Sequence, residues 1–156
     1  MFQGELIGIR VATEAVGDMM STDQVEAIAG TGLAGDRYAE LKGTFQKGTI
    51  ERKQQVTLIE TEAIEAAAKR YEIAVTHESS RRNLLTRGVP LNHLVDVEFW
   101  VGDVKLRGVK LCEPCAHLEK VSGAGHHEAL LHRGGLRAEI LTNGSLRVGD
   151  VIRDVA

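Results

Sequence analysis

Twice in this chain a strand-like segment meets the tripeptide Val-Gly-Asp and leaves as another strand. This happens at Val101–Gly102–Asp103 within Glu98–Leu111, and at Val148–Gly149–Asp150 between Ser145–Val148 and Val151–Val155. Short apolar runs cut by glycine at this pace build strands joined by tight turns rather than long helices. The pattern recurs upstream. Glu5–Thr13 alternates loosely, Gln24–Ala29 leads into the glycine-rich run Gly30–Gly35, and Gln54–Ile59 carries β-formers. Leu136–Thr142 alternates and meets Asn143–Gly144, a strong hairpin signal. With 17 glycines against 2 prolines, glycine makes the corners. One helix is clear: Ile64, Ala67, Ala68 and Tyr71 fall at helical spacing in Glu60–Glu72, with Glu65 and Lys69 paired on the opposite face. A short helix is expected near Glu128–His132. These proportions predict a mainly β chain, α+β by content, folded as an antiparallel barrel with a few short helices. A length of 156 residues fits one domain, 1–156.

Composition narrows the function classes. A net charge of −3 gives no electrostatic reason to bind nucleic acid, and 4% aromatic residues offer no base-stacking platform. No apolar run approaches a membrane span, and the start MFQGELIGIRVAT does not read as a signal peptide. Two cysteines without an export signal fit a reduced, cytoplasmic setting. Exposed barrel edges in a small domain would favour a homodimer.

The densest chemistry lies in Leu111–Glu119 (LCEPCAHLE). Cys112 and Cys115 could grip zinc with two of His117, His126, His127 and His132, although these spacings match no ordered finger. They could form a redox couple, but the βαβ surroundings of such a couple are missing. Alternatively Cys115 acts alone as a nucleophile, sulfur carrier or soft-metal ligand. It precedes AHLEK, and a helical turn opening there would stabilise a thiolate. Cys112, beside apolar Leu111 at a strand end, reads as a small buried hydrophobe.

Gly30–Gly35 matches the dinucleotide fingerprint in form only. Asp36 would stand where pyrophosphate should sit, and no crossover helix follows. The run is better read as a tight loop. Glu40–Lys53, with Gly43 and Gly48, has no sustained period and reads as a long functional or mobile loop. Arg81–Arg82–Asn83 and Arg133/Arg137 are candidate anion binders, provided they converge beside Cys115.

Taken in order, several short motifs resemble the MOSC domain, the C-terminal domain of molybdenum-cofactor sulfurases that also stands alone. They are Gly32–Arg37 (GLAGDR) with Tyr38, Arg82–Asn83–Leu84, Val101–Gly102–Asp103, Glu113–Pro114–Cys115, Arg133–Ala138 (RGGLRA) and Val148–Gly149–Asp150. They span about Gly4 to Val155. The resemblance implies a β-barrel like the insert domain of pyruvate kinase. It makes Cys115 the family's characteristic cysteine, a thiolate ligand to molybdenum in a pterin-bound cofactor and the catalytic residue. Asp36, Arg37, Arg82, Asn83 and Arg137 would line the same pocket, the arginines and Asn83 meeting the pterin phosphate. Many members carry histidine where this chain has Tyr38. The implied activity is reduction of N- or S-oxygenated small molecules, with electrons from a separate partner protein, since no flavin, haem or iron–sulfur motif is visible. The alternative is a non-enzymatic sulfur carrier that receives sulfur from a donor protein as a Cys115 persulfide, with Cys112 resolving it. No aminotransferase-like domain is seen, so pyridoxal phosphate is not expected.

Overall fold

Alternation in the sequence becomes alternation in burial. β7 (Glu98–Val101) buries Phe99 and Val101, while β9 (Leu136–Ile140) buries Leu136, Ala138 and Ile140. The computed structural model describes residues 1–155. The other strands are β1 (Gln3–Val11), β2 (Met20–Thr22), β3 (Gln24–Ile28), β4 (Gly32–Leu33), β5 (Val56–Glu60) and β6 (Leu84–Arg87). They continue with β8 (Val104–Leu111), β10 (Gly144–Arg147) and β11 (Val151–Asp154). Pairing runs β11-β7-β8-β9-β5-β6-β1, and β1 pairs β11 to close a seven-stranded barrel. β2 extends one end of β1, and β10-β3-β4 forms a small separate sheet. The barrel is mainly β, as the sequence predicts.

Leu6, Ile9, Leu58, Leu84, Phe99, Leu106 and Leu136 fill its interior. At roughly 1.5–3 kcal/mol per buried large apolar side chain, this core is the main source of stability. A second cluster lies between the barrel and the helices, where Ile64 and Ala67 of α1 (Thr61–Tyr71) meet Ile59, Leu118, Ala129 and Leu130. Leu118 anchors α3 (Ala116–Ser122), so the chain just after Cys115 is pinned to the core.

Three local expectations are corrected. β5 and β6 pair in parallel, joined through α1 and the short α2 (His77–Ser80), so the barrel is not wholly antiparallel. A parallel pair needs a crossover, and the clearest helix of the sequence supplies it. Asn143–Gly144 does not make a hairpin. β9 pairs with β5 and β8, whereas β10 pairs with β3, so the chain leaves one sheet for another at this point. Asn143 instead accepts a hydrogen bond from the Ala29 amide at 2.7 Å, tying the crossover to the corner after β3. The short helix expected near Glu128–His132 is α4 (His126–Ala129), which begins and ends earlier. Gly30–Gly35 does form a tight turn, with β4 folding back on β3.

The two Val-Gly-Asp turns pack against each other. Gly102 has φ +57°, and a Cβ there would lie 2.6 Å from the Asp150 carboxylate. Among the described residues, no helix is long and apolar enough to cross a membrane.

Candidate functional site

One register row, Leu111–Leu136–Leu58–Leu84–Ile9, runs from the end of β8 through the start of β9, the middle of β5 and the start of β6 to β1 near its end, and the conspicuous polar residues gather beside it. The Asp36 carboxylate, 1% exposed, sits beneath the site as a hub. Its Oδ1 accepts from the Ala12 amide (3.1 Å), the Arg37 guanidinium (3.1 Å) and Asn83 Nδ2 (3.4 Å). Asn83 is equally committed. Its Oδ1 accepts from the Thr57 amide and hydroxyl at 3.1 Å, and its Nδ2 also donates to the Arg10 carbonyl at 3.1 Å. Neither Asp36 nor Asn83 lines the pocket beside Cys115. They lock β1, β5 and β6 and hold Arg37 in place.

Arg82 is buried and grips the backbone of the cysteine segment. Its guanidinium donates to the carbonyls of Gly134 (2.8 Å), Cys112 (2.9 Å) and Ser80 (3.2 Å). The Gly134–Gly135 pair allows this approach. A Cβ on Gly134 would lie 2.3 Å from the Cys112 carbonyl oxygen, and Gly135 has φ +104° with the Leu58 carbonyl oxygen against it. Arg81, the C-cap of α2, donates to the carbonyls of Gly17 (2.9 Å) and Ala15 (3.3 Å). Burial, and then the neighbouring positive charge of Arg37, pull its guanidinium below the ordinary arginine value.

Cys115 is exposed and Cys112 is buried, as the sequence suggests for the latter. Cys115 N-caps α3, whose opening was expected. It borders a small cavity of about 60 Å³ whose lining includes Arg37, Arg81, Arg82, Arg137, Glu113 and His117. Four arginines thus meet one carboxylate in a chain whose net charge is −3. The local field favours an anion. Arg81 and His117 also line a neighbouring cleft of about 600 Å³ toward α3. On the other side Tyr38, Phe45 and Arg137 lead into a cavity of about 240 Å³. Phe45, from the long 40–53 loop, meets His117 edge-to-face, with centroids 5.5 Å apart and planes at 79°.

Of the residues predicted from sequence, Cys115, Arg37, Arg82 and Arg137 come together around this cavity, while Asp36 and Asn83 support it from behind. Sequence reasoning left out Phe45 and undervalued Arg81 and His117. The available signals were the length of the 40–53 loop and the adjacency of Arg81 to Arg82. The zinc reading finds no ligand set. Among the described residues, no three His, Cys, Asp or Glu side chains gather in a way that could hold a metal ion. His126 instead bridges the Gly123 carbonyl and the Ser79 hydroxyl, and His132 pairs with Glu113.

Comparison with known proteins decides the family. A family model for the MOSC domain matches residues 46–153. The chain belongs to the MOSC domain family. Among solved structures, the YUAD protein from Bacillus subtilis superimposes with a TM-score of 0.81 at 18% identity, covering 97% of each chain. YiiM from Geobacillus stearothermophilus gives a TM-score of 0.74 at 13% identity, covering 98% of this chain and 75% of its own. YiiM from Escherichia coli gives 0.69 at 13% identity, covering 100% and 70%. These likenesses establish a shared fold over nearly the whole chain, beyond the residues that the family model matches. No curated protein sequence matches significantly.

Proposed function

We propose that this MOSC domain binds a molybdenum–pterin cofactor and that the Cys115 thiolate is its protein ligand to the metal. The observation that carries the reading is the single exposed thiol, which with four arginines lines the small cavity that shares wall residues with two larger ones. A soft thiolate suits molybdenum, and guanidinium forks suit the phosphate of the pterin. The small cavity beside Cys115, at about 60 Å³, is too small for a whole cofactor, whereas the adjoining cleft of about 600 Å³ falls within the ~300–1,000 Å³ typical of small-molecule sites. The residues present therefore fit the group. When bound, the cofactor would supply two-electron removal of oxygen from N- or S-oxygenated small molecules, with electrons from a separate partner protein.

The chain's own part is positioning. Arg82 fixes the backbone at Cys112 and Gly134 and so sets where the segment carrying Cys115 leaves the barrel. Asp36 holds the Arg37 head, and Arg81 is pinned by two carbonyls, so both present their charge without a large loss of side-chain freedom on binding. Both thiols are free, as a reducing cytoplasmic setting would keep them.

A second reading rests on the exposure of Cys115: a sulfur carrier holding a persulfide there. Burial of Cys112 argues against its serving as the resolving thiol. Elemental analysis and intact mass of untagged wild type and Cys115→Ala, made in a host that synthesises the pterin cofactor, separate the two. Near-stoichiometric molybdenum that disappears in Cys115→Ala is expected. A gain of one sulfur atom on wild type without molybdenum would replace the cofactor reading with the carrier.

A further inference from the structure

β8 and β9 place two cations directly opposite one another. Lys110 is the register partner of Arg137, just after an irregularity between Gly108 and Lys110. Like charges facing across a strand pair destabilise it, and a bulge is a device that re-aims a side chain. The irregularity has a local cause. A Cβ on Gly108 would lie 1.9 Å from the Leu94 carbonyl oxygen, because the chain at Val95 bridges to Gly108 in passing. Among the described residues, neither Lys110 nor Arg137 has a carboxylate within 4.0 Å, and the nearby acid Glu139 on β9 is taken by Arg52.

Both side chains line the 240 Å³ cavity, and Lys53 joins them there with Tyr38 and Phe45, while no acid lines it. Among the described residues, the single acceptor of the Arg137 guanidinium is the Lys53 carbonyl at 3.3 Å, which pins it beside that residue. The large cleft on the far side of Cys115 differs. It mixes Asp18 and Glu78 with Arg81 and Lys120. One flank of the site is thus uniformly cationic and the other is balanced.

We infer that Lys110, Arg137 and Lys53 form a phosphate-binding shelf, which takes the phosphate or diphosphate end of a small molecule whose remaining part reaches toward Cys115. Two unneutralised cations, one of them the planar Arg137 fork, match the charge and oxygen geometry of such a group, and Lys53, whose ammonium also pairs with Glu51 at 3.5 Å, adds a third positive group beside them. The cost of the Lys110–Arg137 opposition is offset when the anion arrives. The shelf itself needs no molybdenum. Its role as the anionic end of the proposed cofactor site rests on the reading above.

The test is calorimetric titration of pyrophosphate into protein made in a host lacking the pterin cofactor. Wild type, Lys110→Glu, Arg137→Met and Cys115→Ala are compared, each with its thermal midpoint. Lys110→Glu converts the opposed cations into an opposite-charge pair, so it should fold at least as stably as wild type while binding pyrophosphate at least tenfold more weakly. Arg137→Met should weaken binding similarly, and Cys115→Ala should bind as wild type does. Absence of binding to wild type, or equal binding by a folded Lys110→Glu, would overturn the shelf. Molybdenum retention measured separately on Cys115→Ala would still stand or fall alone. Repeating the titration on cofactor-loaded protein identifies the source of the phosphate. Blocked binding assigns the shelf to the cofactor's own phosphate, and unchanged binding assigns it to a second, phosphate-bearing molecule.

Discussion

Arg82 and Arg137 border the same cavity, and the fold treats them in opposite ways. Arg82 is buried and spends its guanidinium on three backbone carbonyls, in company with Asp36, Arg37 and Asn83, whose hydrogen bonds knit the strand ends together. Arg137 is half-buried on the outward face of β9, has among the described residues one backbone acceptor, and faces another cation. A cation taken out of water needs acceptors at once, so the protein had to provide them for Arg82. A cation left at the surface can wait for a ligand. The buried floor is therefore architecture, and the rim is where charge is left available for the ligand proposed above.

The contrast breaks most visibly at Asp36. Asp36→Ala removes the carboxylate from a buried ion pair and leaves the Arg37 charge without its partner, so a loss of about 3–5 kcal/mol is expected in denaturant unfolding. Arg82→Met strands three carbonyls and should cost about 3–4 kcal/mol, whereas Arg137→Met should stay within about 0.5 kcal/mol of wild type. Equal losses for the two arginines would erase the distinction between floor and rim.

A smaller effect, read through pH, comes from the floor's histidine. The His77 Nε2–H donates to the Arg82 carbonyl at 2.9 Å, and the ring packs where a Cβ on Gly8 would fall. Desolvation, then the nearby Arg10 charge, lower its pKa to about 4. The unfolded chain, near 6.5, then binds more protons between these values, so stability is full above about 6.5 and declines as pH falls toward 4. The shift corresponds to roughly 2–3 kcal/mol at most, since the ring is not wholly removed from solvent. Thermal midpoints of wild type and His77→Gln between pH 4 and 7 check this. The wild-type decline should flatten in the variant, and parallel curves would remove His77 from the floor.

The barrel was legible because alternation and glycine corners are local signals. Its one parallel pair was not, because β5 and β6 read the same whichever way they pair and only the crossover decides. Asn143–Gly144 misled for a related reason: the turn chemistry was suitable, but both flanking strands find better partners elsewhere. Cys115 was visible in its motif. What sequence could not separate was a spent arginine from an unspent one, since Arg82 and Arg137 differ only in the backbone oxygens that the fold brings to them. Lys110 is invisible for the same reason; a charged residue on a strand reads as a solvated face until its opposite number is known.

Phe45 gives the smallest effect on stability and the sharpest view of the rim. It is 55% exposed, so Phe45→Ala forfeits little burial and only an edge-to-face contact with His117, together about 0.5–1 kcal/mol. Yet both rings line the cavity beside Cys115, Phe45 as a wall shared with the 240 Å³ cavity and His117 as a wall shared with the 600 Å³ cleft. Removing the ring should open the thiol to small electrophiles and raise its rate of iodoacetamide alkylation several-fold at unchanged thermal midpoint. Leu41→Ala, a control in the same loop at 48% exposure and outside the cavity lining, should leave the rate alone. If both variants speed alkylation equally, loop loosening is the cause and Phe45 is no gate. If Phe45→Ala alone does so, the rim admits its ligand by moving one ring, a change that the hydrogen-bonded floor beneath does not need to share.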